Sequence, residues 1–201
     1  MRKIFYVLRV FVAMSFYWVA SSAMAVSDEG VEIADVKVLS HASLGGVNPK
    51  LVLNGAGIRY KFFFKIYVAA LYLPEVDNNA LSILQGLPAN RMMMHITYSE
   101  VPYEKLVSGW EDGFKDNTAT ADFAKLESRL KQFNQMFSTL HEGDVVLLDY
   151  LPEEGTRVTI KGVEKGVIKG ADFNRALLSV WLGDDPVTEE LKSALLGLSE
   201  D

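Results

Sequence analysis

The sequence contains no cysteine. That excludes disulfides, thiolate catalysis, thiolate-bound zinc and a lipid-modified N-terminal cysteine. Positive charge is also scarce. The chain of 201 residues carries 20 basic and 26 acidic side chains, a formal net charge of −6, which argues against a nucleic-acid partner, since such binders usually present a basic face. Only three histidines occur (His41, His95, His141), none three or four residues from another and none in an H-E-x-x-H pattern, so no metal site is expected. There is no G-x-S-x-G motif, and Gly55-x-Gly57 lacks the third glycine and the following helix of a dinucleotide fingerprint. No cofactor is expected. After residue 27 no stretch is long and apolar enough to span a membrane.

The charge that is present is unevenly placed. Residues 1–25 hold Arg2, Lys3 and Arg9 and no acid, so the remainder carries 17 basic against 26 acidic residues, a net −9. The opening runs from a basic start through an apolar stretch to small residues, with Ala23 and Ala25 forming the A-x-A pattern of a signal-peptidase site. Residues 1–25 are therefore read as a cleaved signal peptide and 26–201 as one exported domain, periplasmic or secreted, with the mature chain starting at Val26. The alternative is an uncleaved anchor: the uncharged run Val10–Ser27 is 18 residues long, at the short edge of spanning length.

The rest alternates between two periods. Strands are expected at Val31–Leu39, Lys50–Asn54, Ile58–Leu73, Arg91–Tyr98, Asp144–Leu151, Thr156–Lys161 and Gly166–Lys169. Asn48-Pro49 punctuates the first two, Gly55-Ala56-Gly57 reads as a turn or bulge that allows a bend, and the sixteen residues of Ile58–Leu73 are long enough to require a bend or tight hairpin inside. Pro102–Lys115 reads as a helix. Phe123, Leu126, Leu130, Phe133, Phe137 and Leu140 recur at 3, 4, 3, 4 and 3, which predicts an amphipathic helix ended by Gly143, with His141 at its C-terminal dipole. Asp172 is a candidate N-cap for a helix through Leu182, and a second short helix is expected from Thr188 to Gly197. Strands, helices, strands, helices in that order give an α+β fold with an antiparallel sheet and helices on one face.

One tract combines chemistry and pattern. In Gly57–Leu73, GIRYKFFFKIYVAALYL, strand parity puts Arg59, Lys61, Phe63, Lys65 and Tyr67 on one face. This face is either a wet, basic side of the sheet or the polar end of an apolar cavity. Arg59 and Tyr67 would be roughly 26 Å apart along a straight strand, so they can share a ligand only if the segment folds back. Met92–Met94 suits core or pocket lining.

Leu51–Pro74, Tyr103–Leu106 and Phe173–Leu196, in that order, resemble the chalcone isomerase-like family. The resemblance implies an open-faced β-sandwich: a large curved antiparallel sheet with helices packed on one face and a ligand cleft between. It implies two candidate functions, ring closure by a chalcone-isomerase-type intramolecular lyase or non-catalytic binding of a fatty acid. In the latter, Arg59 and Tyr67 fall where an Arg and a Tyr hold the carboxylate. The enzymes carry a Tyr and an Asn on the helical segment that follows Tyr103–Leu106, where this chain has Thr120 and Glu127. No tyrosine occurs between Tyr103 and Tyr150. The expected protein is therefore a binder of a small apolar molecule such as a fatty acid, with no catalytic residue. An envelope protein-interaction module is a further alternative.

Overall fold

A computed structural model of the chain describes residues 30–44 and 47–198. The expected signal peptide, its A-x-A site and Val26 lie outside the described residues. Seven antiparallel strands form one curved half-barrel sheet. In chain order they are β3 (His41–Leu44), β4 (Val47–Lys61), β5 (Phe64–Leu73), β6 (Asn90–Ile96), β9 (Val145–Leu151), β10 (Gly155–Ile160) and β11 (Val163–Ile168), and their order in the sheet is β11-β10-β9-β6-β5-β4-β3. Two small pairs flank it, β1 (Val31–Ile33) with β2 (Val36–Val38) and β7 (Glu100–Val101) with β8 (Leu140–His141). Five helices complete the α+β fold: α1 (Ala80–Gly86), α2 (Tyr103–Asn117), α3 (Thr120–Asn134), α4 (Ala171–Leu182) and α5 (Glu189–Leu195).

Period-two burial divides the sheet between two cores. On β5, Tyr67, Ala69, Leu71 and Leu73 face the helices, while Val68, Ala70 and Tyr72 face the β1–β2 hairpin. The helical side is the larger core. There α4 is buried nearly all round, as a central helix must be, and Trp110, Phe114, Phe133 and Phe173 make edge-to-face or tilted ring contacts at 5.4–5.6 Å. The other side is closed by Val36 and Val38, and the Tyr72 hydroxyl donates to the Leu39 carbonyl at 2.9 Å.

Several expected elements shift. Val31–Leu39 is a hairpin rather than one strand, because Ala34 and Asp35 both take positive φ (50° and 64°) and turn the chain back. Asn48-Pro49 does not punctuate: it is a two-residue excess inside β4, where Leu44 pairs with Val47 and Ser43 with Lys50. A proline that cannot donate to the ladder is tolerated at such an irregularity. Gly55-Ala56-Gly57 is not a turn, since β4 continues through it; of the two readings the bulge is the one met, where the ladder register shifts between Leu53 and Gly55. The predicted helix over 123–140 starts earlier and stops at Asn134; Phe137 stays buried in the following loop and Leu140 in β8, so the apolar spacing outlasts the helix. His141 consequently lies on a strand, 3.5 Å from Glu100, and not at a helix end. Asp172 is a first-turn residue after the Gly170 cap, paired with Arg129 at 2.6 Å. The turn after β10 is Lys161-Gly162 (φ 55° and 74°), which brings Gly166 into β11.

Two bulges shape the centre. Leu53 pairs with Tyr72 but Gly55 with Leu71, which leaves Asn54 as an extra residue on β4. Its amide donates to the Leu195 carbonyl at 2.8 Å and its carbonyl accepts from the Asp77 N–H at 2.8 Å, so the bulge fastens α5 and the start of the α1 segment to the sheet. The neighbouring glycines let α5 lie against β4. A side chain at Gly55 would overlap the Ala194 carbonyl, and one at Gly57 would reach 2.5 Å from the Ala194 methyl. The second bulge is at Ile66, between the pairs Arg59–Tyr67 and Tyr60–Lys65.

Candidate functional site

The sixteen-residue tract does fold back. β4 and β5 form a tight hairpin turning at Phe62-Phe63, and Arg59 and Tyr67 become direct cross-strand partners. Such partners have Cα atoms about 4.5–5.5 Å apart, not the length of a straight strand. Both line one cavity of about 280 Å³, close to the lower end of small-molecule sites.

Each wall has a separate origin. The sheet supplies Arg59, Lys61, Ile66, Tyr67, Met94 and Ile96. The segment after β6 supplies Tyr98, Glu100 and Val101, and α2 supplies Lys105, Leu106, Gly109 and Trp110. Val180 of α4 and Val187 close the remaining side. The interior is largely aliphatic and aromatic, with polar groups few and placed. Gly109 meets no atom where a Cβ would stand, which leaves that side of the cavity open.

The polar part of the lining has a definite electrostatic character. Arg59, Lys61 and Lys105 line the cavity, and among the described residues none of them has an ion-pair partner. The single carboxylate in the lining, Glu100, faces His141 at 3.5 Å. A chain of net negative charge thus presents an excess of cations around an apolar hole. A guanidinium cannot be neutralised in a protein, so half-buried Arg59 needs water or an anion.

Tyr67 is nearly buried and its oxygen accepts from Trp181 Nε1 at 3.1 Å. Indole N–H is only a donor, so this bond fixes the phenol oxygen as acceptor and leaves its own proton without a partner among the described residues. Burial pushes the Tyr67 pKa up, and the opposing effects of the Trp181 hydrogen bond and the Arg59 charge do not reverse it. The group is therefore a neutral O–H donor at ordinary pH. The pair offers one cation and one O–H donor, the complement of a carboxylate.

Sequence reasoning named Arg59 and Tyr67, and the fold brings them together. It missed Lys105, Tyr98, Gly109 and Trp110, which approach only through tertiary structure. Thr120 and Glu127, on α3, do not line this cavity. Met94 does, whereas Met93 faces the opposite core. Among the described residues no group of three His, Asp or Glu side chains could hold a metal ion, and no helix is long and apolar enough to cross a membrane.

A curved antiparallel sheet holding a cavity against helices defines the chalcone-isomerase type of α+β protein. The family model described as chalcone isomerase-like matches residues 30–197, and the chain belongs to that family. The crystal structure of a fatty-acid binding protein from Arabidopsis thaliana is similar in fold, with a TM-score of 0.65 at 14% sequence identity, covering 84% of this chain and 96% of that one. No curated protein sequence matches this chain.

Proposed function

We propose that the protein is a non-catalytic binder of a small amphiphile carrying a carboxylate, such as a fatty acid, held in the cavity between β4–β6 and α2. The observation that carries this reading is Arg59, without an ion-pair partner among the described residues, set opposite the donor-ready Tyr67 on the wall of an apolar cavity. The fatty-acid binding neighbour of the same fold agrees with it. Arg59 takes the carboxylate, Tyr67 donates one hydrogen bond, and Lys61 and Lys105 add a positive field. The tail lies along Ile66, Met94, Leu106 and Trp110. Each buried methylene contributes about 0.8 kcal/mol, so the tail supplies affinity and the cationic end selects acids over alcohols.

Titration calorimetry with a medium-chain acid and the matching alcohol tests this. Removing one partner of a buried charge pair costs about 3–5 kcal/mol, so Arg59→Met weakens acid binding on the order of 10²–10³-fold and leaves the alcohol nearly unchanged. Tyr67→Phe weakens it less, by about 0.5–1.5 kcal/mol, or up to ~3 with the charged acceptor. Equal small losses for acid and alcohol would falsify the carboxylate reading. We further propose that the protein works outside the cytoplasm, in the periplasm or beyond, because residues 1–25 have the charge and small-residue pattern of an export signal.

A further inference from the structure

The turn that brings Arg59 and Tyr67 together is itself unusual. Its residues Phe62, Phe63 and Phe64 are 84%, 95% and 55% exposed, the first two among the most exposed large apolar side chains of the described residues. Phe62 takes a φ of +55°, a turn position that glycine or asparagine fills with less strain. Solubility and turn stability would both favour another residue there. Lys61 and Lys65 flank the three rings, and no acid occurs between Leu51 and Pro74. The tip is joined to the cavity wall at its base: Phe64 stacks edge-to-face on Tyr98 at 5.5 Å, and Tyr98 and Lys61 both line the cavity.

We propose that the Lys61–Lys65 hairpin tip docks the protein on an anionic lipid bilayer, with the phenylalanine rings at the headgroup–acyl boundary and the lysines on the headgroups. Aromatic rings favour that boundary, and basic residues beside them are drawn to anionic lipid. A projecting tip of three side chains falls far short of the roughly 800 Å² per partner of a stable protein interface, whereas a fluid bilayer accepts a small wedge. Docking would hold the cavity mouth against the membrane surface. That this admits an amphiphile to the cavity rests on the carboxylate-binding reading; the docking itself does not.

Because the chain has no cysteine, Phe63→Cys gives one attachment site for an environment-sensitive fluorophore in the full chain. Glu153→Cys, in the turn at the opposite end of the sheet, is the control. With vesicles of phosphatidylglycerol and phosphatidylcholine the tip label shifts to the blue and the control label does not, and phosphatidylcholine alone gives little shift. Adding Phe62→Ser and Lys65→Glu to the tip-labelled chain lowers partitioning into the anionic vesicles by at least about tenfold. No tip shift, equal shifts of both labels, or a tip shift that follows protein concentration without lipid would overturn the proposal, the last marking contact between copies. The vesicle assay contains no free fatty acid and the calorimetry no vesicles, so either reading can fail alone.

Discussion

Arg59 and Tyr67 face each other across the β4–β5 hairpin, and the same Tyr67 oxygen accepts the indole N–H of Trp181. One phenol thus connects the cation of the sheet to the central helix α4.

Tyr67→Phe therefore does more than remove a ligand contact. Trp181 is fully buried, and its N–H would lose its acceptor. An unmatched buried donor costs about 1–3 kcal/mol. Urea unfolding of the ligand-free variant measures this, and a loss near zero would mean that water from the cavity replaces the phenol.

The glycines of β4 make a paired prediction. Gly55→Ala places a methyl on the Ala194 backbone carbonyl, which cannot move alone, and costs roughly 1–3 kcal/mol. Gly57→Ala meets only the Ala194 side chain. Ala194→Gly should restore part of the loss at position 57 and none at 55, although the new helical glycine itself costs about 1 kcal/mol. Thermal unfolding of the four variants separates the cases.

Gly109 lies inside α2 with open space beside it. Gly109→Ala should raise stability by about 0.5–1 kcal/mol through helix propensity. Gly109→Phe should fill the cavity and lower acid and alcohol affinity together, unlike Arg59→Met. Calorimetry with both ligands distinguishes a volume effect from a charge effect.

Acid should weaken the fold through two carboxylates. Burial pushes the Asp144 pKa up, but Lys161 at 2.8 Å and the His141 N–H outweigh it and the net direction is down. The hydrogen bonds from Arg129 hold Asp172 below its usual value. A depressed folded pKa contributes stability above the unfolded value near 4 and loses it as pH falls through the folded value. Solvent screening keeps each contribution under about 1 kcal/mol. Melting curves from pH 5 to pH 2 should fall less steeply for Asp144→Asn and Asp172→Asn than for the native chain.

The proposed export makes the last prediction. N-terminal sequencing of the protein from the cell envelope should begin at Val26; Met1 retained in the membrane fraction would identify an anchor instead.

What the sequence made legible follows from how local each signal is. β10 alternates within its own residues from Arg157 to Ile160, and the length of Ile58–Leu73 alone called for a bend or a tight hairpin. The hairpin is what joined Arg59 to Tyr67. The Ala34-Asp35 turn was hidden because alanine is no turn former, and the seven-residue α1 is too short for a periodic signal. The stripe through Leu140 misled because buried positions outside a helix kept helical spacing. Gly55 and Gly57 suggested a bend, but their reason is a helix 140 residues away in sequence, at Leu195. The α2 wall of the cavity was invisible for the same reason: Lys105, Gly109 and Trp110 meet β4 and β5 only in three dimensions.

Trp110 borders the cavity and touches Trp181 at 5.6 Å between ring centroids, and Trp181 in turn bonds the phenol of Tyr67. These are the two tryptophans of the described residues. On the proposed reading, an entering tail would displace water beside Trp110 and a bound head group would perturb the hydrogen bond between Tyr67 and Trp181, so both indoles of the described residues would sense the ligand. If the carboxylate-binding proposal holds, the described domain carries an intrinsic optical gauge of its own occupancy, readable without any attached dye.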